Sequence, residues 1–357
     1  MKKCVCVLAM LAFAASAFGG EALDPSLKSH LYFLGRWDHR ATGSYASAPN
    51  ANVQFNANAK SIVFDLEGYS RWRFDVDGKP MSYFETKGHK ITKKLGAVGD
   101  GKDHRYRLIK ISESNPGEVC LHNITLDASG KFGPAPAPSN RRIEFVGDSY
   151  TVGFGNEGTN QDPAEMEFEK TDASKSYAFL LSESLKADFQ VNAVSGRGLV
   201  RNYANIAPGW NLVKLYNYTV AGVASTSTDT VQWDLNQFHP QVIVIFVGIN
   251  DFQGEPPYAD KRVFSAAYAR FLDKLRAAHP NVKFLLLSTK VWPNDDLTPT
   301  VQAIYDEQIA QGHRDVEFKV LQTENVGLLG HPDVRAHQEM ANTIRPIVAR
   351  LGGWLSR

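Results

Sequence analysis

The chain has 357 residues, of which 43% are hydrophobic and 22% are charged, and its formal net charge is +1. This composition is typical of a globular protein and excludes a disordered tail protein, a collagen-like chain and a disulfide-dense mini-protein, while the length predicts about two domains. A dedicated nucleic-acid-binding protein usually carries a basic excess, so the near-zero charge argues against that class.

The first residues predict a secretory signal peptide over residues 1–17. Met1 to Lys3 is basic, Cys4 to Phe18 is almost wholly apolar, and Ala15-Ser16-Ala17 forms an A-x-A cleavage pattern. The apolar run is too short for a comfortable transmembrane helix, and no later run is long enough to span a bilayer. We therefore expect export to the periplasm or the extracellular space.

Only one cysteine remains once the predicted signal peptide is removed, because Cys4 and Cys6 lie within it. The remaining residue, Cys120, therefore has no partner for an internal disulfide. No pattern that would activate a thiol surrounds it, and its alternating segment predicts a buried structural side chain rather than a nucleophile.

From Leu34 to about Asp127 the chain shows mostly a two-residue periodicity and no helical stripe. This pattern predicts that residues 21–129 form an antiparallel β-sandwich, with a jelly roll as one option. Asp77-Gly78 and Gly99-Asp100-Gly101 are turn signals, and Trp37 and Trp72 are expected in the core of this domain. The predicted strands are Asn52–Asn56, Ser61–Leu66, Arg71–Val76 and Arg105–Ile111.

Residues 130–139 predict a stiff, extended connector. They contain Pro134, Pro136 and Pro138, and such closely spaced prolines do not fit inside a sheet or a helix. We place the domain boundary in this connector, so that the second domain comprises residues 140–357.

After the connector, strands and helices alternate, which predicts an α/β domain built on a doubly wound parallel sheet. Val242–Val247 is apolar throughout, as expected of a strand buried on both faces. The other predicted strands are Arg142–Val146, Phe189–Asn192 and Val282–Leu287, and the predicted helices are Ser176–Ala187, Val263–Ala278 and Val334–Leu351. Ligands of such sheets bind at the carboxyl ends of the strands.

Four short segments at these ends contain the candidate functional residues. Gly147-Asp148-Ser149 follows the first strand, and Ser195-Gly196-Arg197-Gly198 follows the second. Gly248-Ile249-Asn250-Asp251 follows the most apolar strand, and His331-Pro332-Asp333 precedes the last helix. Each segment alone is equally consistent with an ordinary turn or helix start. In this order and at these strand ends, the four together are far more specific.

Taken together, these four blocks resemble those of the SGNH (GDSL-type) hydrolases. Residues 142–156, residues 195–203 and Gly35-Arg36-Trp37 further resemble carbohydrate esterase family 2. This resemblance implies a secreted enzyme with a jelly-roll domain before an SGNH domain, which removes O-acetyl groups from plant polysaccharides such as xylan or mannan. The expected partner is an acetylated polysaccharide or oligosaccharide, without nucleic acid, and no metal or other cofactor is expected.

The resemblance also implies roles for individual residues. Ser149 would attack the acetyl carbonyl, and His331 would take its proton and pass it to the leaving sugar hydroxyl. The oxyanion hole would consist of the backbone N–H of Ser149, the N–H of Gly196 and the side-chain amide of Asn250. Gly198 is the alternative to Gly196 as the glycine donor.

The acid of a Ser-His-Asp triad has no counterpart here. In many related enzymes an Asp stands three or two residues before the histidine, and those positions are Leu328 and Leu329 in this chain. A backbone carbonyl can orient the imidazole instead, so we favour a Ser149–His331 dyad over a triad completed by a distant carboxylate. Asp333 is expected to start the last helix. The candidate distant carboxylates are Asp295, Asp296 and Glu324.

Two further side chains have alternative interpretations. His337 is a second candidate for the base, but its position inside the last helix favours a packing role. Trp292 follows a predicted strand near the active edge of the sheet and is the preferred candidate for a sugar-stacking platform. Two other functions stay open: an SGNH-type lipase or lysophospholipase, which would need an apolar acyl groove, and a non-catalytic carbohydrate-binding protein, which would be expected to lack Ser149 or His331.

Overall fold

The structure is a computed structural model that describes residues 25–114, 117–224, 226 and 231–354. The predicted signal peptide, residues 1–17, lies outside the described residues. The described chain forms one antiparallel sheet followed by one parallel sheet, so the predicted fold class is confirmed. None of the described helices has the length and apolarity needed to cross a bilayer.

The N-terminal domain is a curled antiparallel sheet. Its elements are helix α1 (Pro25–Lys28) and strands β1 (Leu31–Leu34), β2 (Asp38–Arg40), β3 (Gly43–Ala46), β4 (Asn52–Asn58), β5 (Ser61–Val76), β6 (Lys79–Gly96), β7 (Asp103–Lys110), β8 (Val119–Leu126) and β9 (Lys131–Phe132). The strand order is β1-β4-β7-β5-β8-β3-β2, with β6 paired to β5 and β9 paired to β4. Strand β9 lies inside the predicted connector, so the first sheet extends into it.

Strand β5 joins the two sides of this sheet, since its first half pairs with β8 and its second half with β7. The two strands predicted at Ser61–Leu66 and Arg71–Val76 are therefore one strand with an irregular register near Gly68. Gly68 has φ +98°, and a Cβ there would lie 2.5 Å from the carbonyl oxygen of Glu118, so a side chain would not fit at this bend.

The core and turns of the N-terminal domain follow the sequence pattern. Trp37, Trp72 and Cys120 are buried, as predicted, and burial raises the pKa of the Cys120 thiol to about 12. Asp77 and Gly78 both have positive φ and connect β5 to β6, as expected of an Asp-Gly hairpin turn. Strand β6 was not predicted, because most of its side chains are exposed and no apolar alternation marks it.

The second domain contains a parallel sheet covered by helices. Its elements are β10 (Arg142–Gly147), α2 (Ser149–Val152), α3 (Glu167–Lys170), α4 (Tyr177–Leu185), β11 (Asp188–Ala193), α5 (Leu212–Leu215), β12 (Val242–Phe246), α6 (Ile249–Phe252), α7 (Lys261–Ala278), β13 (Lys283–Ser288), α8 (Leu297–Ala310), β14 (Val316–Val320) and α9 (Val334–Leu351). The strand order is β11-β10-β12-β13-β14. The next strand in the chain, β11, lies on one side of β10, and the strand after it, β12, lies on the other side. This reversal of strand order opens a crevice at the carboxyl ends of β10 and β12.

Several contacts fasten the domains to each other. Arg36, 2% exposed, donates to Glu144 Oε1 (3.3 Å) and to the carbonyl oxygen of Tyr216, inside the second domain. The segment 109–114, which we call the inter-domain segment, crosses the boundary as well. Ile109 and Ile111 belong to the apolar core of the second domain, although the chain pattern places them in a strand of the first.

Candidate active site

Ser149 lies at the crevice, at the first residue of α2. The chain turns sharply from β10 into α2 because Gly147 permits close packing: a Cβ there would lie 2.0 Å from Thr151 Oγ1. Asp148 is fully buried and accepts a hydrogen bond from the N–H of Tyr150 (3.2 Å), which fixes the turn. Burial raises the pKa of Asp148 to about 8. The turn presents the Ser149 hydroxyl at the end of the sheet.

The structure brings His331 to the hydroxyl of Ser149. The distance from His331 Nε2 to Ser149 Oγ is 2.9 Å, and the distance from His331 Nδ1 to the carbonyl oxygen of Leu328 is 3.0 Å. Because a carbonyl can only accept, Nδ1 carries the hydrogen and Nε2 keeps its lone pair. Burial lowers the pKa of His331 to about 4, so the imidazole is neutral near pH 7 and can accept the serine proton.

A tightly held loop sets this geometry. Leu329 has φ +52°, a left-handed conformation that is uncommon for leucine, and 58% of its side chain is exposed. The N–H of the next residue, Gly330, donates to Asn160 Oδ1 (2.6 Å). Leu328 is buried and packs where a Cβ on Gly155 would otherwise lie. These contacts direct the Leu328 carbonyl towards His331.

The predicted alternatives to this dyad lie elsewhere. His337 is buried in α9, where its Nδ1 accepts from the N–H of Tyr177 (3.2 Å), so it is a packing residue as predicted. Asp333 accepts from the N–H of Ala336 (2.8 Å) and caps α9, also as predicted. Among the described residues, no carboxylate hydrogen-bonds to His331. Asp295 is near the N–H of Thr298, Asp296 pairs with Lys261, and Glu324 pairs with Arg335.

The candidate oxyanion donors come from two loops beside β10. Gly196 has φ +74°, and in the described part of the chain neither its N–H nor that of Ser149 has a hydrogen-bond acceptor. The N–H of Gly198, by contrast, donates to Asn202 Oδ1 (3.2 Å), and a Cβ there would collide with Asp251. The structure therefore favours Gly196 over Gly198 as the glycine donor.

Asn250 links the two loops. Its Nδ2 donates to the carbonyl oxygen of Arg197 (3.0 Å) and makes a longer contact with Asp148 Oδ2 (3.3 Å). The neighbouring Asp251 accepts from the N–H groups of residues 199–201 at 2.7 to 2.9 Å and holds that loop. Burial raises the pKa of Asp251 to about 6.

Trp292 lies after β13, and 63% of its side chain is exposed. The ammonium of Lys290 lies 4.9 Å from the centre of one of its rings. An exposed indole at the carboxyl edge of the sheet is consistent with a sugar platform, and this role stays a prediction. Sequence reasoning missed Asn160, since an isolated polar residue in a loop gives no signal of its contact 170 positions later with Gly330.

Two family models match the chain. The GDSL-like lipase/acylhydrolase family matches residues 145–343, and the N-terminal domain of carbohydrate esterase 2 matches residues 33–136. Together they cover both domains and the four motif segments.

The relatives are similar over most of the chain. A cellulase/esterase, CelE, from Acetivibrio thermocellus is 30% identical over 319 residues, which is 86% of this chain but only 37% of that longer protein. An acetylxylan esterase / glucomannan deacetylase from Cellvibrio japonicus is 29% identical over 306 residues, 81% of this chain and 80% of that protein.

The fold is shared with a solved relative, a family two carbohydrate esterase from Clostridium thermocellum in complex with cellohexaose. The TM-score is 0.83 at 29% identity, over 91% of this chain and 100% of that chain. The matches to both domains and this likeness along the whole chain show that the protein belongs to carbohydrate esterase family 2, within the GDSL-like lipase/acylhydrolase family.

Proposed function

We propose that this protein is a secreted esterase that removes O-acetyl groups from a plant cell-wall polysaccharide, xylan or mannan, by serine acyl transfer. The observation that carries the proposal is the contact of Ser149 Oγ with His331 Nε2 at 2.9 Å, combined with the Nδ1 contact to the Leu328 carbonyl. This pair supplies a nucleophile and a base in the correct tautomer.

Acylation begins when Ser149 Oγ attacks the acetyl carbonyl carbon and its proton passes to His331 Nε2. The carbonyl oxygen becomes an oxyanion, which accepts from the N–H groups of Ser149 and Gly196 and from Asn250 Nδ2. One amide hydrogen of Asn250 is held by the Arg197 carbonyl. The other points to Asp148 Oδ2 at 3.3 Å, and we assign this hydrogen to the oxyanion during turnover.

The tetrahedral intermediate collapses when the bond from the carbonyl carbon to the sugar oxygen breaks. The imidazolium of His331 gives its proton to that oxygen, so the sugar leaves as a neutral hydroxyl and the acetyl group stays on Ser149. Water then attacks the acetyl-enzyme while His331 accepts its proton. The Ser149 oxygen leaves with that proton as acetate is released, and the enzyme returns to its starting state.

The decisive experiment compares the purified protein on p-nitrophenyl acetate, p-nitrophenyl palmitate, acetylated xylan and acetylated glucomannan. We expect hydrolysis of the acetyl ester, acetate release from a polysaccharide, and no turnover in Ser149→Ala, which should remain folded by circular dichroism. Preference for the palmitate would indicate a lipase, and absence of any turnover a binding protein. Residual activity of Ser149→Ala above about a tenth of wild type would contradict Ser149 as the nucleophile.

Trp292 is proposed to stack on the polysaccharide next to the acetylated sugar. Its exposure supports this, because an indole that only packed the core would be buried. Trp292→Ala should raise KM for acetylated polysaccharide and leave p-nitrophenyl acetate turnover unchanged, since the small ester has no neighbouring sugar to stack on the ring.

Export is proposed from the sequence of residues 1–17 alone. N-terminal sequencing of the protein from the culture medium or periplasm tests it, and a retained Met1 would contradict it.

A further inference from the structure

A carboxylate from the N-terminal domain lies beside the loop that carries Gly196. Glu113, at the end of the inter-domain segment, is only 4% exposed. Its Oε1 accepts from the N–H of Ser114 (2.6 Å), and its Oε2 accepts from the hydroxyl of Ser195. Glu113 therefore holds the side chain of the residue just before Gly196.

The position of Ser195 decides where the Gly196 N–H points. That N–H belongs to the planar peptide unit between the two residues, so its direction follows from the ψ of Ser195 and the φ of Gly196. The next peptide unit along the chain is fixed, because the Gly196 carbonyl accepts from the N–H of Tyr203 (2.9 Å). Glu113 supplies the restraint on the preceding residue, Ser195.

Glu113 is itself held in place by its own segment. Lys110 Nζ, also buried, donates to the carbonyl oxygen of Ser112 (3.1 Å), to its hydroxyl (3.2 Å) and to the carbonyl oxygen of Glu113. Ser114 Oγ donates to the carbonyl oxygen of Ala193 at the end of β11 (2.8 Å). The carboxylate therefore reaches the Gly196 loop from a support with little freedom to move.

The attachment of the two domains to each other does not by itself explain why the Glu113 carboxylate is buried at their interface. Burying a carboxylate is costly unless hydrogen bonds satisfy it, and apolar contacts of Ile109 and Ile111 already join the domains at this segment. Among the described residues, the only hydrogen bond of the Glu113 carboxylate outside its own segment is with Ser195, the residue adjacent to the candidate oxyanion donor.

We propose that Glu113 is a positioning residue of the active site, which aims the Gly196 N–H at the oxyanion through Ser195. The N-terminal domain then contributes to transition-state stabilisation and is more than an attached module. This inference rests on the proposed acyl-transfer function and deepens it.

The test uses the full chain and five variants: Glu113→Ala, Glu113→Gln, Ser195→Ala, the double variant Glu113→Ala/Ser195→Ala and, as a matched control, Glu144→Gln. Glu144 is likewise a buried carboxylate at the domain interface, but it contacts Arg36, Gln190, Asn192 and Tyr216 rather than the Gly196 loop. For each variant, kcat and KM on p-nitrophenyl acetate and the melting temperature are measured.

We expect Glu113→Ala to lower kcat about 10- to 100-fold with little change in KM. The oxyanion develops only in the transition state, so a misdirected N–H weakens transition-state stabilisation more than substrate binding. Glu113→Gln keeps an oxygen acceptor and should recover part of the loss. Combining Glu113→Ala with Ser195→Ala should cost little more than Glu113→Ala alone, because both act through one contact. The control variant, Glu144→Gln, should have a lower melting temperature than the wild type but the same kcat.

A purely structural role would show itself in a different pattern. If the Glu113 variants melt at lower temperature but keep kcat within about twofold of wild type, the proposal is wrong. If Glu113→Ala does not fold, the proposal is tested with Glu113→Gln and Ser195→Ala. Wild-type kcat in both of these variants would refute the proposal. A wild-type protein inactive on every ester would instead refute the proposed function, and the positioning role with it.

Discussion

The imidazole of His331 is oriented by the backbone of Leu328, three residues before it in the chain, at 3.0 Å from Nδ1 to the carbonyl oxygen. A carbonyl fixes the tautomer as well as a carboxylate does, but it carries no net charge to stabilise the imidazolium that forms during turnover. The left-handed Leu329 between them makes this short-range contact sterically accessible.

Because no carboxylate among the described residues hydrogen-bonds to His331, we expect that no single substitution of Asp or Glu by Ala reaches the ~10⁴-fold loss seen when a triad acid is replaced. We expect Asp333→Ala to lower kcat less than about tenfold, through a weaker cap of α9 worth roughly 0.5–2 kcal/mol. Asp295→Ala, Asp296→Ala and Glu324→Ala should also stay close to wild type, whereas His331→Ala should be nearly inactive. Turnover of all five variants is compared side by side. A thousandfold loss in one folded carboxylate variant would identify it as the third member of a triad.

Removal of the Asn250 amide is expected to act on the transition state. Asn250→Ala should lower kcat about 10²-fold with little change in KM, since an oxyanion donor is needed mainly after the carbonyl has been attacked. Steady-state kinetics on p-nitrophenyl acetate measure both constants. An effect on KM alone would make Asn250 a ground-state binding residue.

The pH dependence should reflect the depressed pKa of His331. The residue acts as a base only when neutral, so activity is present above its pKa and is lost as the pH falls through it, near 4 rather than near the ordinary 6.5. The profile of kcat/KM from about pH 3 to about pH 8 tests this, with circular dichroism at each pH to exclude unfolding. An acidic limb centred near the ordinary histidine value would contradict the burial of the imidazole.

His331 and His337 also link folding to pH. Burial lowers the pKa of His337 to about 3, so both side chains are neutral in the folded protein at pH values where the unfolded chain is protonated. The unfolded state then binds more protons, and these two residues make stability decrease as the pH falls from the ordinary histidine pKa of 6.5 towards 4. Urea titrations at several pH values should show this slope reduced in His337→Gln.

Loss of the Arg36 guanidinium should destabilise the protein through its buried partner. Arg36→Met leaves Glu144 without a counter-charge, and breaking a buried pair in this way costs about 3–5 kcal/mol. The free energy of unfolding in urea measures the effect, and Arg36→Met combined with Glu144→Gln should recover part of the loss. A change below about 1 kcal/mol in the single variant would show that the pair is dispensable.

Much of the site was predictable because parallel strands bring their carboxyl ends together. Ser149, Gly196 and Asn250 each follow such a strand, so a local pattern in the sequence was enough to place them at one crevice. The sequence predicted that a backbone carbonyl would orient His331, but it did not predict which one. Leucine side chains cannot accept a hydrogen bond, but which carbonyl would turn towards the ring depended on the unusual φ of Leu329.

Other features depended on contacts that no local pattern announces. Edge strand β14 was not predicted, because Glu317 and Lys319 interrupt its apolar character. Glu113 lies in a short polar segment without periodicity, and its contact with Ser195 spans 82 positions. Whether a charged residue in a loop is solvated or buried at a distant site is decided by the packing of the two domains.

The connector at residues 130–139 separates the two sheets in the sequence. Ile109 and Ile111 precede this connector, yet they pack in the core of the second domain. A fragment starting after this connector would lose two side chains from the interior of its own domain and expose the apolar surface they cover. Deletion at the apparent boundary should therefore yield an aggregation-prone hydrolase domain, and the intact chain should melt in a single cooperative transition. The two domains are thus expected to be inherited, expressed and engineered as one piece.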